Sequence, residues 1–160
     1  MTVLRVLLLF LIPALPAQAK LKVFILAGQS NMEGAGQINI NSRAQNKGAG
    51  TLEFMAKNAP KKYGHLQTKT GGWTARTDVF VKYGERGGGL KPGFGARNSA
   101  IGPELGFGTV VGDALKEPVL IIKTCWGGKT LMVDFRPPCA GPLPKPLADK
   151  MLAGIQRRDP

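Results

Sequence analysis

The chain reads as an α/β protein built on a parallel sheet, and three observations predict it. Leu21 to Ala27 and Val119 to Thr124 are nearly continuous β-favouring apolar runs, the pattern of strands buried on both faces. Each run ends in a glycine-bearing turn. Between them lies a long crossover containing one clear helical pattern, and parallel pairing requires such a crossover.

Taken in order, Leu21–Ala27 suits a central strand that Gly28 ends, and Asn31 to Gly36 starts a short helix or turn. Residues 37–100 carry little periodicity. Leu52-Glu53-Phe54-Met55 reads as a brief strand or turn, and the alternation in Asp78–Tyr83 reads as a strand. Gly84 to Gly95 is a glycine-rich excursion, long enough to be a binding loop or an insertion. Gly102-Pro103-Glu104 opens a helix. Proline suits its first turn, an acid there complements the helix dipole, and Leu105, Phe107, Val110, Val111 and Ala114 form its apolar stripe. Pro118 stops it. The second buried strand then ends at Cys125-Trp126-Gly127-Gly128. Ala140 to Pro146 is a proline-rich loop, and Leu147 to Gln156 begins a last helix.

Composition bounds the possibilities. A chain of 160 residues, 43% hydrophobic and 20% charged, is globular and long enough for one core. Residues 1–19 have the form of a secretory signal: Arg5, an apolar core from Val6 to Leu15, and Ala17-Gln18-Ala19 as cleavage site. An uncleaved anchor is the alternative, but the run is short for a bilayer span, and no second stretch approaches that length. Residues 20–160 are therefore expected to be the mature domain, secreted or periplasmic, with no stable membrane span after cleavage. The net charge of +12 comes from scattered Lys and Arg, without a dense basic run or interleaved aromatics. That distribution argues against a nucleic-acid partner and for a solvated basic surface, one able to attract acidic glycans. Cys125 and Cys139 close a short loop and are open to either a bridge or two free thiols. No Cys/His cluster is present, so a structural zinc site is not expected; no cofactor is expected either.

In an open parallel sheet, ligands bind beyond the carboxyl ends of the strands, where both glycine turns lie. Ser30 follows the first strand among small neighbours. Its hydroxyl is placed to attack an ester carbonyl, with its own N–H turned to the developing oxyanion. Alone, such a serine is as readily a helix N-cap. Gly127 or Gly128 offers a second backbone donor, or simply makes a tight turn. Gln29, Asn31 and Trp126 border the two turns and are candidate substrate contacts. Trp126 suits sugar stacking or core packing equally.

The run Gly28-Gln29-Ser30-Asn31-Met32 resembles the nucleophile block of the SGNH-hydrolase superfamily, and more narrowly that of the sialate O-acetylesterase and acetylxylan-esterase group. Ile101-Gly102-Pro103-Glu104-Leu105-Gly106-Phe107-Gly108 and Ile122-Lys123-Thr124-Cys125-Trp126-Gly127-Gly128-Lys129-Thr130-Leu131 are similar to that group as well, as is Asp134-Phe135-Arg136-Pro137-Pro138. The resemblance implies a flavodoxin-like three-layer α/β/α sandwich with a parallel sheet. It also implies metal-free removal of O-acetyl groups from sialic acid, xylan or a similar glycan. It carries over Ser30 as nucleophile and oxyanion donor and the Gly127-Gly128 turn as the other donor. Two family blocks, a W-x-Q-G-E-like segment and a late D-x-x-H, have no counterpart here. The catalytic His and Asp are accordingly expected beyond residue 160, with the fold incomplete at its C-terminus. His65 is the only candidate base within the chain and reads as a loop histidine. Asp78, Asp113 and Asp134 read as a loop acid, a helix-surface acid and a structural acid, and Arg136 as a contact to a glycan or to a backbone carbonyl. The alternative function is a non-catalytic glycan-binding or remnant domain.

Overall fold

The computed structural model describes residues 20–40, 45–143 and 145–156, so the 1–19 segment read as a signal lies outside the described residues. In chain order the elements are β1 (Lys22–Gly28), α1 (Ser30–Glu33), β2 (Gly36–Gln37), α2 (Leu52–Asn58), α3 (Pro60–Tyr63), β3 (Val79–Tyr83), β4 (Arg86–Gly89), β5 (Ala100–Ile101), α4 (Pro103–Ala114), β6 (Val119–Cys125) and α5 (Lys145–Gln156). The protein is α/β with a mainly parallel mixed sheet ordered β1-β6-β3-β4, and β2 and β5 form a separate two-stranded pair. β6 lies between β1 and β3 and is parallel to both, while β4 runs antiparallel to β3. Among the described residues no helix is long and apolar enough to cross a membrane.

The second apolar run behaves as expected: β6 is the inner strand, and Val119, Ile121 and Cys125 are fully buried. The first run does not. β1 is an edge strand among the described residues, and its burial alternates. Phe24 and Leu26 face the core, whereas Val23 and Ile25 are 51% and 66% exposed. Phe80 of β3 is exposed on that same face, because Val23 and Phe80 both pair with Leu120. A run of β-branched residues shows that a strand is apolar on both sides, but the neighbours present decide how many sides are covered.

The covered face carries the core. Val79, Val81, Val119 and Ile121 pack beneath α4 with Leu90, Phe94 and Leu105, and Phe24 meets Phe107 edge to face at 5.2 Å. The expected apolar stripe of α4 needs correction. Its buried positions are Glu104, Leu105, Gly108 and Gly112, and Val110 is 68% exposed. The two glycines face the sheet because the helix lies too close for side chains there. A Cβ on Gly108 would sit 2.6 Å from Leu90 Cδ2 and 2.7 Å from Ile121 Cδ1, and one on Gly112 would sit 2.5 Å from Val79 Cγ2. The helix is thus positioned by absent side chains as much as by apolar ones.

Two further expectations are overturned. Leu52–Met55 is not a strand or turn but the first half of α2. Thr51 caps that helix by accepting the Phe54 N–H, and Glu53 and Lys57 pair one turn apart. The glycine-rich excursion after β3 folds back as β4, pairing Phe80–Tyr83 with Arg86–Gly89. Arg86 then holds the following loop by donating to the carbonyls of Gly93 and Gly95 and to Asn98. Asp78, read as a loop acid, and Asp113, read as a helix-surface acid, both grip Arg76, and the contact with Arg76 holds the Asp78 carboxyl below the usual carboxylate range.

An ion pair is buried against this core. Lys123 on β6 and Glu104 on α4 pair at 2.7 Å with both side chains fully buried. Lys123 Nζ also donates to the carbonyls of Glu33 and Phe94, and Glu104 Oε1 accepts the Gly102 N–H. With one partner removed, the other stays buried and unpaired, which costs about 3–5 kcal/mol. Lys123→Met is therefore expected to lower the urea-unfolding free energy by about that amount, and adding Glu104→Leu is expected to recover much of it. Circular dichroism in a urea titration checks both; a single variant as stable as wild type would refute the assignment.

Candidate active site

The site is built from the parallel pairing of β1 with β6. Gly28 and Cys125 are register partners at the carboxyl ends of their strands. Ser30 is two residues beyond the first and Gly127 two beyond the second, so the two turns leave the sheet at the same level. A Cβ built on Gly127 would lie 4.0 Å from Ser30 Cβ. The Ser30 turn and the glycine turn, far apart in sequence, are neighbours in space.

Ser30 is exposed, as are Gln29, Asn31 and Trp126 around it. It is the first residue of α1, the cap position belongs to Gln29, and no side chain caps this helix. The capping alternative therefore does not describe Ser30. Its hydroxyl has Gln29 Oε1 as side-chain partner, at 3.4 Å. Trp126, 47% exposed, lies beside Phe135 with ring centroids 6.1 Å apart. It stands at the site's edge, not in the core.

The two glycines differ. The N–H of Gly127 donates to Glu33 Oε2 at 2.8 Å, whereas the amide of Gly128, at φ +72°, has no acceptor among the described residues. Glu33 is a residue that sequence reasoning missed. Its Oε1 is 2.9 Å from the Tyr83 hydroxyl, which also lies 2.8 Å from the Cys125 carbonyl oxygen. Burial and the neighbouring carboxylate push the Tyr83 hydroxyl up from its ordinary pKa, so it stays protonated as a donor. Lys123 was missed too, although a lysine inside an apolar strand is a readable sign. A buried ammonium needs acceptors, and Glu104 is the acid that the helix before it supplies.

The remaining candidates fall elsewhere. His65, on the short turn Gly64–Leu66, lines two cavities of about 310 and 350 Å³ against α4, together with Leu66, Leu105 and Thr109. Ser30 lines neither of them. Asp134 accepts from Lys129 Nζ and the Thr130 N–H, closing the turn after Gly128. Arg136 donates to the carbonyls of Ala140 and Gly141, which settles it as a loop brace.

The family model for the carbohydrate esterases described as sialic acid-specific acetylesterases matches residues 20–156. That is most of the chain, and the chain belongs to this family. A carboxylic ester hydrolase acting on acetylated carbohydrate is the class that this membership defines. No curated protein and no solved structure matches.

Two measurements check this geometry. Cys125 and Cys139 are both free, the first buried and the second exposed, and burial pushes the Cys125 thiol up. An aromatic disulfide reagent at neutral pH is expected to modify Cys139 alone, with Cys125 reacting only in denaturant. Asp134 titrates below the usual carboxylate range because Lys129 and the Thr130 amide favour its charged form. A carboxyl so depressed stabilises the fold at neutral pH and loses that contribution as pH falls through its folded-state value. The Asp134 side-chain carbon shift in an acid titration is expected to move below the range of a free aspartate; a midpoint at or above that range would refute the pairing.

Proposed function

We propose that the protein is an exported serine esterase that removes O-acetyl groups from a glycan such as sialic acid or xylan, with Ser30 as nucleophile. The observation that carries this reading is the exposed, uncapped Ser30 hydroxyl beside the Gly127-Gly128 turn, in a chain of the carbohydrate esterase family. Ser30 Oγ attacks the acetyl carbonyl carbon and the carbonyl electron pair moves to oxygen. The backbone amides of Ser30 and the glycine turn stabilise the resulting oxyanion, each such donor being worth about 3 kcal/mol. Collapse expels the sugar oxygen, which takes up a proton, and water then releases acetate from the acyl-enzyme. The proton of Ser30 passes to a general base, a role for which His65, lining other cavities, is not placed. Gln29 and Asn31 supply hydrogen-bonding groups to the sugar, and exposed Trp126 supplies a stacking face. The net charge of +12 favours approach of an acidic glycan. Export rests on the signal-like residues 1–19.

A second reading has its own support. Exposed Trp126, backed by the half-buried Phe135 ring beside the glycine turn, suits a domain that binds glycan without turnover. Hydrolysis of p-nitrophenyl acetate by the full chain and by Ser30→Ala separates the two. The esterase reading expects turnover that the variant reduces by about a thousandfold or more. Equal rates from both proteins would mean that this chain does not turn over ester through Ser30 on its own, and would favour the binding domain.

A further inference from the structure

Glu33 lies three residues past Ser30, on the same short helix, and ties that helix to two strand ends. Its Oε2 accepts the Gly127 N–H at 2.8 Å, its Oε1 the Tyr83 hydroxyl at 2.9 Å, and its backbone carbonyl the Lys123 ammonium at 2.9 Å. A two-glycine turn is the least restrained backbone a chain can offer. Amides in such a turn stabilise a developing oxyanion well only if they are already in place before charge appears.

We propose that Glu33 is a positioning residue whose carboxylate holds the Gly127-Gly128 turn against Ser30. This inference rests on the reading of Ser30 as nucleophile. It also divides the labour between the glycines: the Gly127 amide is spent on Glu33, and Gly128 and Ser30 are left as the oxyanion donors. The role depends on shape more than charge. A glutamine at position 33 can accept the Gly127 N–H through its oxygen and turn its amide nitrogen to the Tyr83 oxygen. The Tyr83 proton then goes to the Cys125 carbonyl 2.8 Å away. An alanine there can do neither.

The test uses the ¹⁵N-labelled full chain and needs no turnover. In wild type the Gly127 amide is expected to be protected from hydrogen exchange, with a cross-peak between its α-protons and the Ser30 β-protons. In Glu33→Ala, exchange at Gly127 should speed up by at least about tenfold and the cross-peak should disappear, while the amides of β1 and β6 keep their protection. Glu33→Gln should retain both wild-type signals. Gly127→Ala should lose the cross-peak, because its new Cβ would lie 2.9 Å from Glu33 Oε2 and displace the carboxylate. An unchanged Gly127 in Glu33→Ala would overturn the proposal. So would a Glu33→Gln that behaves like alanine, or a loss of protection throughout β1 and β6. The p-nitrophenyl acetate comparison with Ser30→Ala decides the nucleophile reading separately, so either idea can fail without the other.

Discussion

Lys123 is a positive charge at a place where water cannot reach it, and the rest of the molecule is arranged around satisfying it. The ammonium has three oxygen partners: the Glu104 carboxylate and the carbonyls of Glu33 and Phe94. It also sits 4.8 Å from the centre of the Tyr83 ring. Those partners come from the helix that covers the sheet, the short helix that carries Ser30, and the loop after β4. One buried cation therefore fixes three otherwise separate segments relative to the carboxyl end of β6. Replacing such a pair with apolar residues of similar size need not cost stability. What would be lost is the definition of where α1 stands above the sheet.

That definition matters for the chemistry. Parallel pairing puts the ends of β1 and β6 at one level, and two residues further on each chain has turned. The result is an exposed hydroxyl beside a glycine turn whose Gly127 amide is taken by Glu33 and whose Gly128 amide has no acceptor among the described residues. The glycines serve the site by taking up no room at the turn. Those of α4 serve the core in the same way by letting the helix approach the sheet.

Much of this was legible in the residues. The two apolar runs, the glycine turns at their ends and the proline-opened helix located β1, β6 and α4, and the block around Ser30 pointed to an ester hydrolase. Other features were illegible for identifiable reasons. Leu52–Met55 is too short for its periodicity to separate strand from helix, and only the Thr51 cap and the Glu53–Lys57 pair decide it. Val110 looks like a core residue, yet it faces away, and beside Leu105 and Phe107 the helix meets the sheet through glycines, which no hydrophobic pattern marks. Glu33 stands within the Ser30 block, but its meaning comes from Tyr83 and Gly127, which are 50 and 94 residues away.

By itself the sequence determined the class of fold, the glycine turns that end the two apolar strands and the serine that follows the first, because apolar periodicity and glycine turns are local properties of the chain. The tertiary structure alone decided that β1 is an edge strand among the described residues, that α4 sets Gly108 and Gly112 against the sheet, that Lys123 is neutralised by Glu104, and that Glu33 engages Gly127. Each of those depends on which distant backbone passes within a few ångströms, and that distance is set by packing across the whole domain and by no single stretch of residues.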